Sequence, residues 1–414
     1  MINIILIFFC ATSFSADRYV VEPGTIADGN GGIYSSWDIA ATQIQWAVSA
    51  AAAGETVWVS NGTYLLTNQI TISAAITTRS VNGRSATIVD GNNYYGKLVT
   101  NRCFDMSGSA VLDGFTVRNG IATNLSGGGG GIRCNPGKIY NCRIENNASS
   151  NAAAGGIEAE NSSTITNCQI ISNRCVGSTG GGGTIRGGSV YGCEISGNTN
   201  SGNNGAGLLI RSGAIVSNCI FFDNANGTAG GGLAVYGDGS VYNSLFYRNR
   251  SPLGGGIHVD SVGAGNVPIV RSCTVVSNYA SSQGGGIYIS GVYPATSYVE
   301  NIISYYNISA AGSNLYYSGT GYSAFVYSCI GPTSAIPTTN IIVNAGNIQS
   351  DPKFINWTNG NYRLRADSPC VNAGTNQTWM TNACDLDRAQ RIRYGVVDMG
   401  AFERVNEGTI YTIH

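Results

Sequence analysis

Glu158 and Glu160 stand two residues apart, and so do His258 and Asp260. In a strand that spacing puts both members of a pair on the same side. Paired carboxylates can act as acid and base on a glycosidic bond, or hold Ca²⁺ beside a basic residue. Arg133, Arg186 and Arg211 would supply cations for an acidic ligand, and Tyr236 and Tyr288 would supply rings. Together these residues read as a saccharide-binding face. The competing reading is a solvated sheet face laced with cross-strand ion pairs.

What would bring them together is a repeat. Cysteines fall at 142, 168, 193 and 219, at steps of 26, 25 and 26, and the register continues through Ser244, Cys273 and Ile302. Five residues after each position comes an Asn, from Asn147 and Asn173 through to Asn307. Three before each comes Ile or Val, as at Ile139, Ile165 and Val190. Glycine runs end at Ile132, Ile157, Ile185, Leu208, Leu233, Ile257 and Ile287. A period near 25 with three short strands is one turn of a parallel β-solenoid. Asn side chains then form ladders along the axis. The glycines turn a corner where no Cβ fits. The expected fold is all-β, a parallel β-helix over 63–344. Projected outward on the strand after the glycines are Arg133, Glu158, Arg186, Leu209, Ala234, His258, Tyr288 and Tyr316. Two residues on lie Asn135, Glu160, Gly188, Arg211, Tyr236, Asp260, Ser290 and Ser318.

The pairing of GGGI or GGGL with a later F-x-x-N, literal at Phe221–Asn224 and Phe246–Asn249, resembles the repeat of polymorphic outer membrane proteins. That resemblance covers about 110–320 and implies a right-handed coil. Residues 350–374 and 385–403 resemble the choice-of-anchor Q domain at the end of bacterial secreted β-helix proteins, here spanning 345–404, with a tail at 405–414. Residues 41–54, ATQIQWAVSAAAAG, followed by TVWVSNGTY, are similar to the opening of secreted β-helix proteins, pectate lyase relatives included. They predict a helix that caps the N-terminal end within residues 16–62, with Ile44, Ala47, Val48 and Ala51 on one face.

The bulk properties agree with a secreted solenoid. The chain has 414 residues, a formal charge of −1, and only 11% charged residues, with 58 glycines. That balance gives no electrostatic case for nucleic acid. Residues 1–15 read as a signal peptide, and no later segment approaches the ~20 apolar residues of a membrane span. The cysteine column reads as buried thiols used as small hydrophobes. Cys370 and Cys384 are the disulfide expectation in an oxidising compartment. No metal site is expected, since a linear stack of cysteines lacks tetrahedral geometry. Ile220, Phe222, Leu245, Tyr247, Val276, Ile303 and Tyr305 form an outward apolar stripe. Such a stripe must be covered or bind something, and segment 345–404 is expected to fold over it.

Function is expected to be that of a secreted or cell-surface protein without catalysis, adhesin-like or a glycan-binding scaffold. The alternative is a polysaccharide lyase or glycoside hydrolase, pectate-lyase-like, acting on an extracellular polysaccharide, and only then would Ca²⁺ be a cofactor. The Asp-rich and Gly-His-Gly signatures of polygalacturonases and the pectate lyase Arg motifs are absent.

Overall fold

The structure is a computed structural model describing residues 16–24, 32–92, 101–123, 127–150, 154–177, 179–261, 265–291, 296–332, 341–343 and 346–405. The expected signal peptide and the tail beyond 405 lie outside the described residues. Among the described residues the chain coils into a parallel β-helix of four sheets. The glycine sheet stacks ten strands from Ile70–Ile72 to Leu315–Tyr317, and those from Ile132–Cys134 onward each follow a glycine corner. The valine sheet stacks thirteen, from Arg18–Val20 to Ile341–Val343, so it starts inside the segment read as the cap. The cysteine sheet has eleven, from Gly62–Leu65 to Cys329–Ile330.

The fourth sheet corrects the three-strand expectation. Its eight strands, from Ile121–Ala122 to Ile308–Ala311, follow the Asn column. They are short and polar, such as Ala148–Ser150 and Thr199–Asn200, so they carry no apolar alternation to announce them.

The columns do what stacking requires. Ile139, Ile165, Val190, Val216, Val241, Val270 and Val299 are fully buried. Asn147, Asn173, Asn198, Asn224, Asn249, Asn278 and Asn307 are buried too. Each side-chain amide donates to the next Asn along the axis, as from Asn198 to Asn224 at 3.0 Å and from Asn224 to Asn249 at 2.9 Å. Cys142, Cys168, Cys193 and Cys219 are buried in one stack, where the backbone N–H of Cys168 points at the sulfur of Cys193. Burial pushes the Cys142, Cys168 and Cys193 thiols well above their usual pKa. The glycine corner tolerates no side chain: a Cβ on Gly156 would lie 2.4 Å from the carbonyl oxygen of Gly182 in the next turn.

A helix, Ile44–Ala50, buries Ile44, Ala47 and Val48 against the first turns. At the other end the segment from Ile348 to Glu403 runs back over the flank. Phe354, Tyr362, Leu364, Cys370, Met399 and Phe402 join Leu245, Val276 and Ile303 in a second core. The expected cover over the apolar stripe is therefore present. The corner residues before the cysteine column, Asn141, Asn167, Asn218, Asn243 and Asn301, adopt positive φ. In early turns they bond one another, Asn167 to Asn141 at 2.6 Å. In later turns they become hooks. Asn243 donates to the Cys384 carbonyl at 2.9 Å, and Asn301 donates to that of Thr375 at 2.8 Å.

The expected Cys370–Cys384 disulfide is not formed. Both thiols are free, Cys370 buried and Cys384 exposed. Cys370 is drawn into the second core with Cys329, whereas Cys384 sits on the outer edge, bridged to Gln390. Alkylation of the native protein is expected to label Cys384 and leave Cys370 unlabelled until denaturation. Equal labelling of both in the native state would contradict this packing.

Candidate functional site

The glycine sheet carries the predicted site, but its register differs from the expectation at one turn. Ile157 pairs with Gly183, and Gly183 with Leu208. The four-glycine run therefore places its last glycine in the inward anchor position, and Leu208 Cδ2 lies where that side chain would be. Arg186 shifts by two residues. It pairs with Glu160 on one side and Arg211 on the other, and Thr184 takes its expected place beside Glu158.

A second difference follows from the corners. The glycine loops fold over the outer start of each strand: a Cβ on Gly230 would touch that of Ala234 at 3.1 Å, and one on Gly128 would collide with the Glu158 carboxylate. From Glu158 to His258 the first outward column is thereby covered, whereas Arg133, Tyr288 and Tyr316 stay half-buried. Glu158 is 2% exposed and His258 5%. What solvent meets is the second row, Glu160, Arg186, Arg211, Tyr236, Asp260 and Ser290, all half-buried.

At one end of this row the charges are satisfied. Arg186 pairs with both Glu158 and Glu160, the latter at 2.9 Å. Burial, then the charge of Arg211, lowers the Arg186 pKa to about 10. Arg133 pairs with Asp105 at 3.2 Å, a partner the sequence reading did not single out. This part matches the ion-pair reading.

Further along the row the pattern changes. Arg211 has no carboxylate partner among the described residues. Tyr236 follows it one turn on and pairs in register with Asp260. The Tyr236 hydroxyl donates to Asn204 Oδ1. Burial, then the charge of Asp260, raises its pKa to about 12. Burial likewise raises the Asp260 pKa, against a hydrogen bond from Ser290. Ser290 also meets His258 Nε2 at 3.0 Å. His258 lies between the rings of Tyr236 and Tyr288, at 5.7 and 5.3 Å between centroids, and Tyr288 stacks on Tyr316 at 5.9 Å. Burial lowers the His258 pKa to about 4, so the imidazole is neutral at pH 7, with Nδ1 unpaired.

These positions decide what chemistry is open. Glycoside hydrolysis needs two carboxyl groups ~5–9.5 Å apart. Asp260 and Glu160 are separated by four turns, about 19 Å at the strand spacing, and Glu158 is buried. A Ca²⁺ cage needs several converging oxygens. Among the described residues no group of three His, Cys, Asp or Glu side chains could hold a metal ion. The carboxylates of this face do not fit that ion, because Asp105, Glu158 and Glu160 are already neutralised by arginines.

Neither a family model nor a curated protein matches the chain. Its fold is similar to that of the pectate lyase Pel9A, with a TM-score of 0.55 at 17% identity over 95% of this chain and 98% of that one. The catalytic unit of a GH87 α-1,3-glucanase from Streptomyces thermodiastaticus strain HF3-3 aligns with a TM-score of 0.40 at 14% identity, over 74% of this chain and 64% of that one. The likeness to Pel9A is one of fold. No described helix is long and apolar enough to cross a membrane.

Proposed function

We propose that this chain acts outside the cell on an acidic polysaccharide laid along the row Arg211–Tyr236–Asp260, by a lyase-type elimination. One observation carries the reading. An arginine without a carboxylate partner and a carboxyl of raised proton affinity flank a half-exposed tyrosine ring on successive turns. The gap of two turns, about 10 Å, is one that a sugar unit resting on Tyr236 fills. Arg211 pairs with the uronate carboxylate and makes the adjacent C–H more acidic. Asp260 takes that proton. The C–H electrons become a C=C bond as the neighbouring C–O bond breaks, and water protonates the departing oxygen. Similarity in fold to a pectate lyase supports the reading at the level of architecture only.

Binding without cleavage is the second reading, favoured by the satisfied ion pairs at Arg133 and Arg186. Both are tested by incubating acidic and neutral polysaccharides with the protein, with and without a chelator, and following chain length and the ultraviolet absorbance of an unsaturated product. Shortened acidic chains are expected, with or without chelator. Asp260→Asn is expected to slow cleavage at least 100-fold, the low end for a lost general base, with binding retained. Arg211→Ala is expected to weaken binding of acidic chains. Uncut chains that still bind through Arg211 would leave the non-catalytic role. Absence of binding would remove both.

A further inference from the structure

A second polar pocket lies away from the glycine sheet, where the C-terminal segment meets the flank. Its volume is about 330 Å³, within the ~300–1,000 Å³ of small-molecule sites. The corner between the valine and cysteine sheets forms its floor, through Gln169, Tyr191 and Glu194, and Leu386 and Arg388 of the returning segment form one wall. Arg84 lines it from an earlier turn. Arg84 gives one guanidinium nitrogen to the carbonyls of Asn167 at 3.1 Å and Cys142 at 3.4 Å. Neither Arg84 nor Arg388 has a carboxylate partner among the described residues. Both cations therefore keep donors for something else.

From this arrangement we infer that the pocket binds a carboxylate-bearing sugar, a uronate unit or the acidic end of an oligosaccharide. Arg84 and Arg388 supply the charge for the carboxylate. The Tyr191 ring, 50% exposed, supplies a flat apolar face. Glu194 supplies the selectivity. Its oxygens accept from Gln169 and Ser196, each at 3.2 Å, and spare lone pairs remain. A carboxylate in the wall repels a compact dianion such as sulfate. It accepts hydrogen bonds from sugar hydroxyls, which lie apart from the sugar's own charge. The inference shares the acidic-sugar class with the proposed function but rests on different residues.

The test is calorimetric titration of the full chain with sodium glucuronate, glucose and sodium sulfate. Saturable binding of glucuronate is expected, with no saturable binding of glucose or sulfate. Arg388→Ala, at an exposed position, is expected to weaken glucuronate binding at least tenfold, and Arg84→Met likewise. Glu194→Gln is expected to admit sulfate. Both arginine variants should cut polysaccharide at the wild-type rate if the glycine-sheet row does so, which separates failure here from failure there. The inference is overturned if glucuronate does not bind, if Arg388→Ala binds it as the wild type does, or if sulfate binds the wild type equally well.

Discussion

Replacing Asn224 with alanine is expected to destabilise the solenoid by about 3–5 kcal/mol, from the cost of orphaning buried polar groups. Asn224 Oδ1 accepts from the backbone N–H and the side-chain amide of Asn198, both at 3.0 Å. Its own amide donates to the Ile195 carbonyl and to Asn249, both at 2.9 Å. Alanine strips one bond from each of two donors and two acceptors in a fully buried site, and Asn249 Oδ1 keeps only the backbone N–H of residue 224, at 3.2 Å. Each would cost about 1–3 kcal/mol if nothing relaxed, so partial relaxation is already allowed for. Asn224→Asp should be at least as damaging at neutral pH. Aspartate keeps the acceptor, loses both donors and buries a charge. The shift of the denaturant midpoint measures both variants. A loss under 1 kcal/mol for Asn224→Ala would mean that water enters and replaces the ladder.

Arg391→Ala should release the C-terminal segment, at a cost of about 3–5 kcal/mol, the range for removing the charged partner from a buried polar network. Arg391 is fully buried, 3.3 Å from Glu403, and donates to the Gly400 carbonyl at 3.0 Å. Around it lie three buried carboxyls that organise the segment through backbone N–H groups: Asp385 binds Ala389, Asp398 binds Asn372, and Glu403 binds Asp398. Burial outweighs the arginine's charge, raising the Asp385 pKa to about 6 and that of Glu403 to about 8. A carboxyl raised in this way binds protons on folding. Its contribution is complete below its ordinary pKa and is lost as pH rises through the folded value. The segment should therefore hold more tightly at pH 5 than at pH 8, and Glu403→Gln should remove the upper part of that dependence. Thermal melts with a dye that reports exposed Leu245, Val276 and Ile303 would read both effects. A flat melting temperature from pH 5 to pH 8 would contradict this account of the cluster.

Elements set by one turn and its neighbours were legible in the sequence. The cysteine, valine and asparagine columns recur because each must stack on itself, and every member from Cys142 to Asn307 falls where the spacing put it. The cap helix was legible from its apolar face. Arg186 was misplaced because a four-glycine run has no side chain to mark which glycine is the anchor, and only the pairing with Leu208 decides it. The burial of Glu158 and His258 was hidden because the loops that cover them are defined by where the glycine corners fold back, not by composition. Ser290 stood in the projected row without being singled out. Its link to both His258 and Asp260 crosses a turn and has no sequence signal. The pairing of Arg391 with Glu403 was likewise invisible, since irregular segments have no period.

The asparagine hooks give the molecule a direction in time. A stack joined only by neighbour contacts can shed one turn at a time from either end. Here Asn218 and Asn243 hold the backbone at 384–385, Thr274 accepts from Ala401, Asn301 holds Thr375, and Cys329 bridges to Ile348. The strap thus spans five consecutive turns, and the last of them cannot peel away before the strap lets go. Unravelling from that end becomes a single large event, while the opposite end can come undone turn by turn. A coil of nearly identical steps is in this way made to age from one side.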